Sequence, residues 1–225
     1  MSKAPEIDSA SACAYCGMES PGEHFCSACG RIQPVAPGTD YFTFLGLPKK
    51  LKLDEPALEK TFYSLSRRFH PDYFMNESER ERRASQERSA LLNDAYRTLR
   101  DPVRRTEYLL SLEGYKEAEK KAPPDLLEEV FELNMQIEEL KAAKKMADED
   151  EIGEARKALE EALAGLNEKM AGIDARLTGL FDAWDGLIDA RAGEDERKKT
   201  LDRMSELLSH RSYVRALVRD IKEEI

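Results

Sequence analysis

The hydrophobic and polar positions of this chain predict a helical protein. Between residues 58 and 69 the apolar positions recur at steps of four, three and four, which is the spacing of one buried helix face. These positions are Leu58, Phe62, Leu65 and Phe69. A second stripe follows at Leu92, Ala95, Tyr96 and Leu99. Because a short apolar segment at residues 41–47 precedes both stripes, we expect a helical hairpin with this segment packed across it.

The first of these helices leads into the tripeptide His70-Pro71-Asp72. Pro71 has no amide hydrogen and disfavours helical geometry at His70, so the helix should stop there. A Pro-Asp pair after a helix is also ordinary turn chemistry. At the tip of a hairpin and beside Arg67 and Arg68, however, the imidazole and the carboxylate would form an exposed turn. This position favours recognition by another protein.

After Gly114 and the pair Pro123-Pro124, the pattern predicts three more helices. The first starts near Asp125 and carries more apolar residues than one buried face needs. A second face is therefore expected to be partly exposed, and it either binds a partner or packs within the protein. The apolar residues are Leu126, Leu127, Val130, Phe131, Leu133, Met135, Ile137 and Leu140.

The second of these helices is predicted to run unbroken through a seven-residue pattern from Leu163 to Leu187. The third is predicted to carry an apolar stripe made of Leu201, Met204, Leu207, Leu208, Val214, Leu217, Val218 and Ile221. Glycine recurs every seven residues in the second helix, at Gly165, Gly172, Gly179 and Gly186. Each glycine costs about 1 kcal/mol of helix stability relative to alanine, so we hypothesise that this glycine stripe lets a neighbouring helix approach closely. The whole pattern predicts an all-α protein with a helical hairpin and a three-helix bundle.

Four cysteines precede the helices, as two C-x-x-C pairs within 17 residues: Cys13, Cys16, Cys26 and Cys29. A glycine follows each pair and permits a tight turn. Such pairs place four thiolates tetrahedrally, which suits zinc, so residues 1–33 resemble a small zinc ribbon with residues 34–39 as a linker. Two disulfides or a rubredoxin-like iron site could use the same four cysteines.

A module this short buries little apolar surface, so its metal should supply most of its folding free energy, on the order of 10 kcal/mol. Since protein thiolates fill all four positions, a structural role is favoured over catalysis. His24 lies between the two pairs and could replace a cysteine ligand, but four thiolates already suffice. The sequence gives His24 no other chemical partner.

Composition and charge narrow the function. The 225 residues carry a formal net charge of −10, and residues 113–225 hold 19 basic and 29 acidic side chains, which argues against a nucleic-acid groove there. No apolar run approaches the ~20 residues that a membrane helix needs. The first residues fit neither a secretory signal nor a transit peptide, so a cytoplasmic protein is expected. No catalytic triad, phosphate-binding loop or open metal site is recognisable, so an enzyme is not expected.

Three segments together resemble the J-domain co-chaperones: residues 40–48, residues 67–72 and residues 92–99. The continuation through residues 100–110 is similar to the HscB branch, called Jac in some eukaryotes, which serves iron–sulfur cluster assembly. The resemblance implies a J-domain at residues 40–114 that stimulates the ATPase of a DnaK/HscA-class chaperone. The chaperone-binding residues would be Arg67, Arg68, His70, Pro71 and Asp72.

The same resemblance implies that residues 115–225 form a three-helix domain that delivers the iron–sulfur scaffold protein IscU. Its scaffold-binding residues would be Leu127, Phe131, Glu132, Glu139 and Tyr213. The chain departs from the bacterial pattern at Glu128 and Met135, where that pattern favours an apolar and an acidic residue respectively. We expect a monomer that binds neither nucleic acid nor membrane.

Two other functions remain open from the sequence. A general J-protein would present unfolded clients through the apolar face of the bundle. A metal-transfer or redox protein would instead act through the four cysteines. A zinc ribbon that binds nucleic acid ranks last, because only Lys3 and Arg31 lie near the cysteines.

Overall fold

The computed structural model describes residues 12–20, 22–115 and 126–225. The predicted break at Pro123-Pro124 and the predicted helix start near Asp125 lie outside these residues. Within the described part of the chain, the regular secondary structure is helical, and this confirms the all-α prediction. None of the helices described is long and apolar enough to cross a membrane.

The elements follow one another as a run of helices after the cysteine-rich segment. They are α1 (Tyr41–Phe44), α2 (Glu55–Phe69), a 3₁₀ turn (Pro71–Phe74), α3 (Glu79–Leu99), α4 (Pro102–Leu112), α5 (Leu127–Met146), α6 (Glu149–Gly179), α7 (Phe181–Asp189) and α8 (Glu194–Glu224). Two isolated antiparallel bridges, Ala12 with Glu19 and Phe25 with Ile32, lie in the cysteine-rich segment.

The described residues divide into two compact units. The first unit contains the residues up to Lys49 and Leu53–Asp101, so the cysteine module and α1 to α3 belong to it. The second unit contains Lys50–Lys52 and Pro102–Ile225, which include α4 to α8. Helix α4 falls inside the predicted J-domain but is part of the second unit by its contacts. The predicted boundaries near residues 33, 39 and 114 stay predictions.

In the first unit, α2 and α3 pack against each other as the predicted hairpin. The buried members of the α2 stripe are Leu58, Leu65 and Phe69. Phe62, the fourth member, is half-buried and stacks on Tyr96 of α3 with ring centroids 4.2 Å apart. Helix α1 contributes the buried rings of Phe42 and Phe44, as the short apolar segment predicts.

Capping chemistry fixes where these helices begin. The carboxylates of Asp40 and Asp54 accept hydrogen bonds from first-turn amides of α1 and α2. Ser78 and Glu81 form a capping box at the start of α3. Because α3 begins soon after α2 ends at Phe69, the tip of the hairpin is defined on both sides.

The second unit is built on three long helices, with α6 packed against both α5 and α8. This arrangement confirms the predicted bundle, and the apolar stripe predicted for the last helix is buried on α8. The fully buried side chains of this core include Leu140, Leu159, Leu177, Trp184, Met204 and Ile221.

The prediction of one unbroken helix from Leu163 to Leu187 is wrong. Helix α6 ends at Gly179, and α7 begins at Phe181. Between them, the amide of Leu180 donates a hydrogen bond to the carbonyl of Leu177 at 3.1 Å. The new helix buries both Phe181 and Trp184. A seven-residue pattern cannot reveal such a break, because the apolar spacing continues across it.

The short α7 also holds a distant segment of the chain. Leu51 is fully buried, and its amide donates to the Asp185 carboxylate at 2.7 Å. The amide of Lys52 donates to the same carboxylate at 3.0 Å. Lys50 pairs with Asp189 at 2.7 Å. These contacts bind Lys50–Lys52 to the second unit.

The glycine stripe does not serve the role that we hypothesised. Gly165, Gly172, Gly179 and Gly186 are exposed, and a Cβ atom built on any of them would have no neighbouring atom within 4 Å. No helix of the described residues approaches the stripe closely, so the hypothesis of close helix packing is wrong.

Candidate functional sites

The His-Pro-Asp turn stands at the end of α2. The helix ends at Phe69, as Pro71 predicts, and His70 takes an extended conformation with ψ 124°. The amide of Asp72 donates to Nδ1 of His70 at 3.3 Å, inside the 3₁₀ turn. The side chains of His70 and Asp72 are 53% and 76% exposed. The turn therefore presents an imidazole and a carboxylate to solvent side by side.

Helix α3 holds the base of this turn. Phe69, the residue before His70, is fully buried. Its carbonyl, left without a helical partner at the end of α2, accepts hydrogen bonds from the hydroxyls of Ser85 at 2.6 Å and Ser89 at 2.9 Å. Two donors on one rigid helix thus fix the point where the exposed turn leaves the hairpin.

Exposed basic and apolar side chains lie near the turn in the sequence. Arg67 and Arg68 are exposed in the last turn of α2, where cations are favoured by the helix dipole. Three large side chains that the sequence reasoning did not single out are also exposed: Tyr63, Tyr73 and Met75. The sequence pattern could have indicated their exposure. Tyr63 falls outside the buried stripe of α2, and Tyr73 and Met75 follow the tripeptide within three residues.

The four cysteines converge on one point, as predicted. All four sulfur atoms lie within 4.8 Å of one another, and the Sγ atoms are 3.6 Å apart for Cys13 and Cys29 and 3.7 Å apart for Cys16 and Cys26. With metal–sulfur bonds of about 2.3 Å, the corners of a tetrahedral site are roughly 3.8 Å apart. The cluster therefore matches the size of a tetrahedral four-thiolate metal site.

The two knuckles have the same local geometry. Gly17 and Gly30 take positive φ angles of 74° and 72°, which a residue with a side chain rarely adopts. The amide of Gly17 donates to the carbonyl of Cys13, and that of Gly30 to the carbonyl of Cys26. The glycine after each pair therefore closes the turn that brings its two thiols together.

The surroundings of the cluster shift the pKa values of two of its thiols in opposite directions. Burial would raise the pKa of Cys13, but amide N–H groups of Cys16 and Tyr15, with nearby thiols, lower that pKa to about 6. The amide of Arg31 favours the thiolate of Cys29, yet burial and the neighbouring sulfur atoms raise its pKa to about 12. Four thiolates at this spacing would repel one another, and a bound cation would offset that repulsion.

His24 lies where the cysteine module meets the hairpin. Its ring sits edge-on to Phe44 and Phe69, with centroid distances of 5.0 Å to each. The Arg88 guanidinium donates to Nδ1 of His24 at 2.6 Å. This partner could not be predicted from the sequence, because Arg88 is 64 positions away along the chain.

On α5, the predicted second face is exposed. Leu127, Phe131 and Met135 lie four residues apart and are 57%, 66% and 49% exposed, so they form one apolar strip. Glu132 and Glu139 are exposed on the same side of the helix. Tyr213, the fifth predicted scaffold-binding residue, is half-buried on α8. The departure at Met135 lengthens the strip instead of interrupting it.

Comparisons with known proteins find similarity in sequence and in fold. Residues 40–108 match the DnaJ domain family. The Co-chaperone protein HscB homolog of Vibrio cholerae is 43% identical over 106 residues, which are 46% of this chain and 62% of that protein. The Iron-sulfur cluster co-chaperone protein HscB of the mouse is 37% identical over 118 residues, 51% of this chain and 50% of that protein. The aligned segments thus span about half to three fifths of these relatives.

Two solved structures share the fold. Human co-chaperone protein HscB has a TM-score of 0.68, with 24% identity over 94% of this chain and 97% of the human chain. The HscB chaperone of Vibrio cholerae has a TM-score of 0.56, with 28% identity over 82% of this chain and 96% of that one. The chain therefore contains a segment that matches the DnaJ domain family, is similar in sequence to HscB co-chaperones over about half of its length, and shares the fold of two solved HscB structures.

Proposed function

We propose that this protein is a co-chaperone of iron–sulfur cluster assembly. Its first unit would stimulate ATP hydrolysis by a DnaK/HscA-class chaperone, and its second unit would deliver an IscU-type scaffold protein. The observation that carries this proposal is the exposed His70-Pro71-Asp72 turn, anchored at Phe69 inside a segment that matches the DnaJ domain family. The names of the Vibrio and mouse relatives support a co-chaperone role, and the mouse name supports iron–sulfur cluster assembly.

In this proposal the turn works by contact, and the ATPase performs the chemistry. Arg67 and Arg68 lie on the exposed side of α2 and would dock against an acidic surface of the chaperone. The Asp72 carboxylate is 76% exposed, with Nδ1 of His70 3.5 Å away, and it would enter a charged network on that partner. We propose no catalytic residue in this chain.

The apolar strip of α5 is the proposed scaffold-binding surface. Leu127, Phe131 and Met135 provide an exposed apolar centre, and Glu132 and Glu139 provide an acidic border. Apolar centres with polar rims are typical of protein–protein contacts. Tyr213 on α8 stays a proposed member of the surface.

For the cysteine module we propose a structural Zn²⁺. The four thiolates Cys13, Cys16, Cys26 and Cys29 would hold it, and their tetrahedral spacing leaves no ligand position for substrate. A cytoplasmic location and a monomeric state belong to the same proposal.

The test measures ATP hydrolysis by a purified DnaK/HscA-class chaperone with and without this protein. The full chain should stimulate hydrolysis, and Asp72→Asn should abolish stimulation while retaining the fold, because Asp72 is exposed and its side chain supports no buried contact. Asp94→Asn is the matched control, since Asp94 is an exposed α3 carboxylate that pairs with nearby Arg97. Full stimulation by Asp72→Asn would contradict the proposal.

A further inference from the structure

The cysteine module is packed on the residue that carries the docking turn. Phe25, next to Cys26, stacks on Phe69 with centroids 5.8 Å apart and an interplanar angle of 25°. His24 contacts the same Phe69 ring edge-on. Arg68 lies over the Phe25 ring at 4.4 Å from its centroid. Arg68 and Phe69, which directly precede the tripeptide, therefore both pack against the cysteine module.

A buried arginine ties the module to α3. The Arg88 side chain is 4% exposed, and its guanidinium binds carbonyl oxygens of Gln33 at 2.5 Å and Pro34 at 3.1 Å as well as His24 at 2.6 Å. Burial lowers the pKa of Arg88 to about 10, which still leaves it charged at neutral pH. A buried charge of this kind is stable only while its acceptors stay in place.

Those acceptors depend on the module being folded. His24 precedes the second cysteine pair and Gln33 follows it, and the amide of Gln33 donates to the carbonyl of His24 at 2.9 Å. The two acceptors are therefore held together across the knuckle formed by that pair. Metal binding in such modules supplies the folding free energy. If the module unfolds, Arg88 loses these hydrogen-bond acceptors, and Phe69 loses its contacts with the rings of His24 and Phe25.

We propose that the tetracysteine module is a metal-dependent support for the docking turn. Metal held by the four cysteines folds the module, and the folded module, through Phe25 and Arg88, holds Phe69 and the last turn of α2 in place. Arg88 is in this view a positioning residue that binds no partner itself. The consequence for ATPase stimulation rests on the proposed function, whereas the structural coupling does not.

Hydrogen exchange tests the coupling on the full chain. The amides of Ser66 to Phe69 are compared in the zinc-loaded protein and in protein stripped with a chelator under reducing conditions. Stripping should speed their exchange by at least about tenfold, because local opening becomes easier when packing is lost. Amides of α6, in the second unit, should not change. Equal exchange in both forms, or an equal increase in α6, would overturn the proposal.

Reciprocity supplies a second and independent readout. If metal binding stabilises the contact with the hairpin, the contact must strengthen metal binding by the same factor. Arg88→Met should therefore weaken zinc affinity by about tenfold or more, although Arg88 lies on α3 and is no metal ligand. Arg83→Met is the control, because Arg83 is an exposed α3 residue that pairs with Glu87. Wild-type zinc affinity in Arg88→Met would overturn the proposal.

The activity measurement separates the two proposals. Zinc-stripped protein should require a several-fold higher concentration for half-maximal ATPase stimulation than zinc-loaded protein. If the loaded wild type stimulates no ATPase, the proposed function fails, and the exchange and affinity measurements still decide whether the module supports the turn.

Discussion

The Nη1 atom of Arg88 lies 2.6 Å from Nδ1 of His24, so the charged guanidinium donates a hydrogen bond directly to a neutral imidazole. An imidazole that accepts at Nδ1 carries its proton at Nε2, and a second proton would place two cations in contact. This pair joins an α3 side chain to the segment between the two cysteine knuckles.

We predict that His24 stays neutral far below the usual histidine range. Burial lowers its pKa from 6.5 to about 4, and the charges of Arg88 and Arg68 act in the same direction. Between these values the unfolded chain binds a proton that the folded chain does not, so this contribution to stability is complete above pH 6.5 and is lost as the pH falls toward 4.

Proton-detected NMR of the imidazole nitrogens in zinc-loaded protein between pH 7.5 and 5.5 checks this prediction. The His24 signals, assigned by their absence in His24→Gln, should stay those of the neutral ring. A midpoint near 6.5 would show that the ring is not buried against Arg88.

Metal removal should destabilise the first unit selectively. Anaerobically purified protein is expected to hold one tightly bound zinc per chain, and Cys26→Ser should lose it and lower the unfolding temperature of the first unit. The single tryptophan, Trp184, is fully buried in the second unit and should keep its emission spectrum, which makes it an internal control. Iron, or metal that exchanges rapidly, would favour the metal-transfer alternative.

The apolar strip of α5 should govern scaffold binding. The double variant Leu127→Ser/Phe131→Ser is expected to weaken IscU binding by about tenfold or more, as loss of exposed apolar anchors usually does. The fold should persist because both side chains are exposed. Calorimetric titration measures the affinity.

Met146→Ser is the matched control for this variant, because Met146 is 78% exposed at the far end of the same helix. If the wild type binds denatured model proteins and has no affinity for IscU, the general J-protein alternative is favoured. Unchanged IscU affinity in the double variant would place the binding surface elsewhere.

Gly172→Ala should stabilise the protein by about 1 kcal/mol, because the glycine is exposed in the middle of α6 and nothing meets the added methyl group. Gly46→Ala should destabilise the protein by roughly 1 kcal/mol, because Gly46 has a φ of 67°, which alanine disfavours. Urea unfolding followed through Trp184 measures the first change, and circular dichroism measures the second. A loss of stability in Gly172→Ala would restore a packing role for the stripe.

Local patterns predicted much of this fold. The spacing of apolar residues between Leu58 and Phe69 predicted the buried face of α2, and Pro71 predicted where that helix ends. The paired cysteines predicted a four-sulfur cluster. Each of these features depends on residues close together in sequence, so one chain is enough to read it.

What the sequence did not reveal depends on distant partners. His24 acquires its role from Arg88 and Phe69, and Leu51 from Asp185. The break at Leu180 is hidden because apolar residues continue on both sides of it. Spacing along a helix reports which face is buried, but it contains no information on which side chain elsewhere in the chain will meet that face.

The hydrogen bonds from Leu51 and Lys52 to Asp185 have a consequence for folding during protein synthesis. The amide of Leu51 leaves the ribosome 134 positions before the carboxylate that it binds, so this segment must wait until nearly the whole chain has emerged. A fragment cut after α4 would keep Leu51 without its acceptor and without α7 beside it. Studies of the first unit should therefore retain the chain through α7, because a fragment that begins after residue 52 would also lose α1 and the cysteine module.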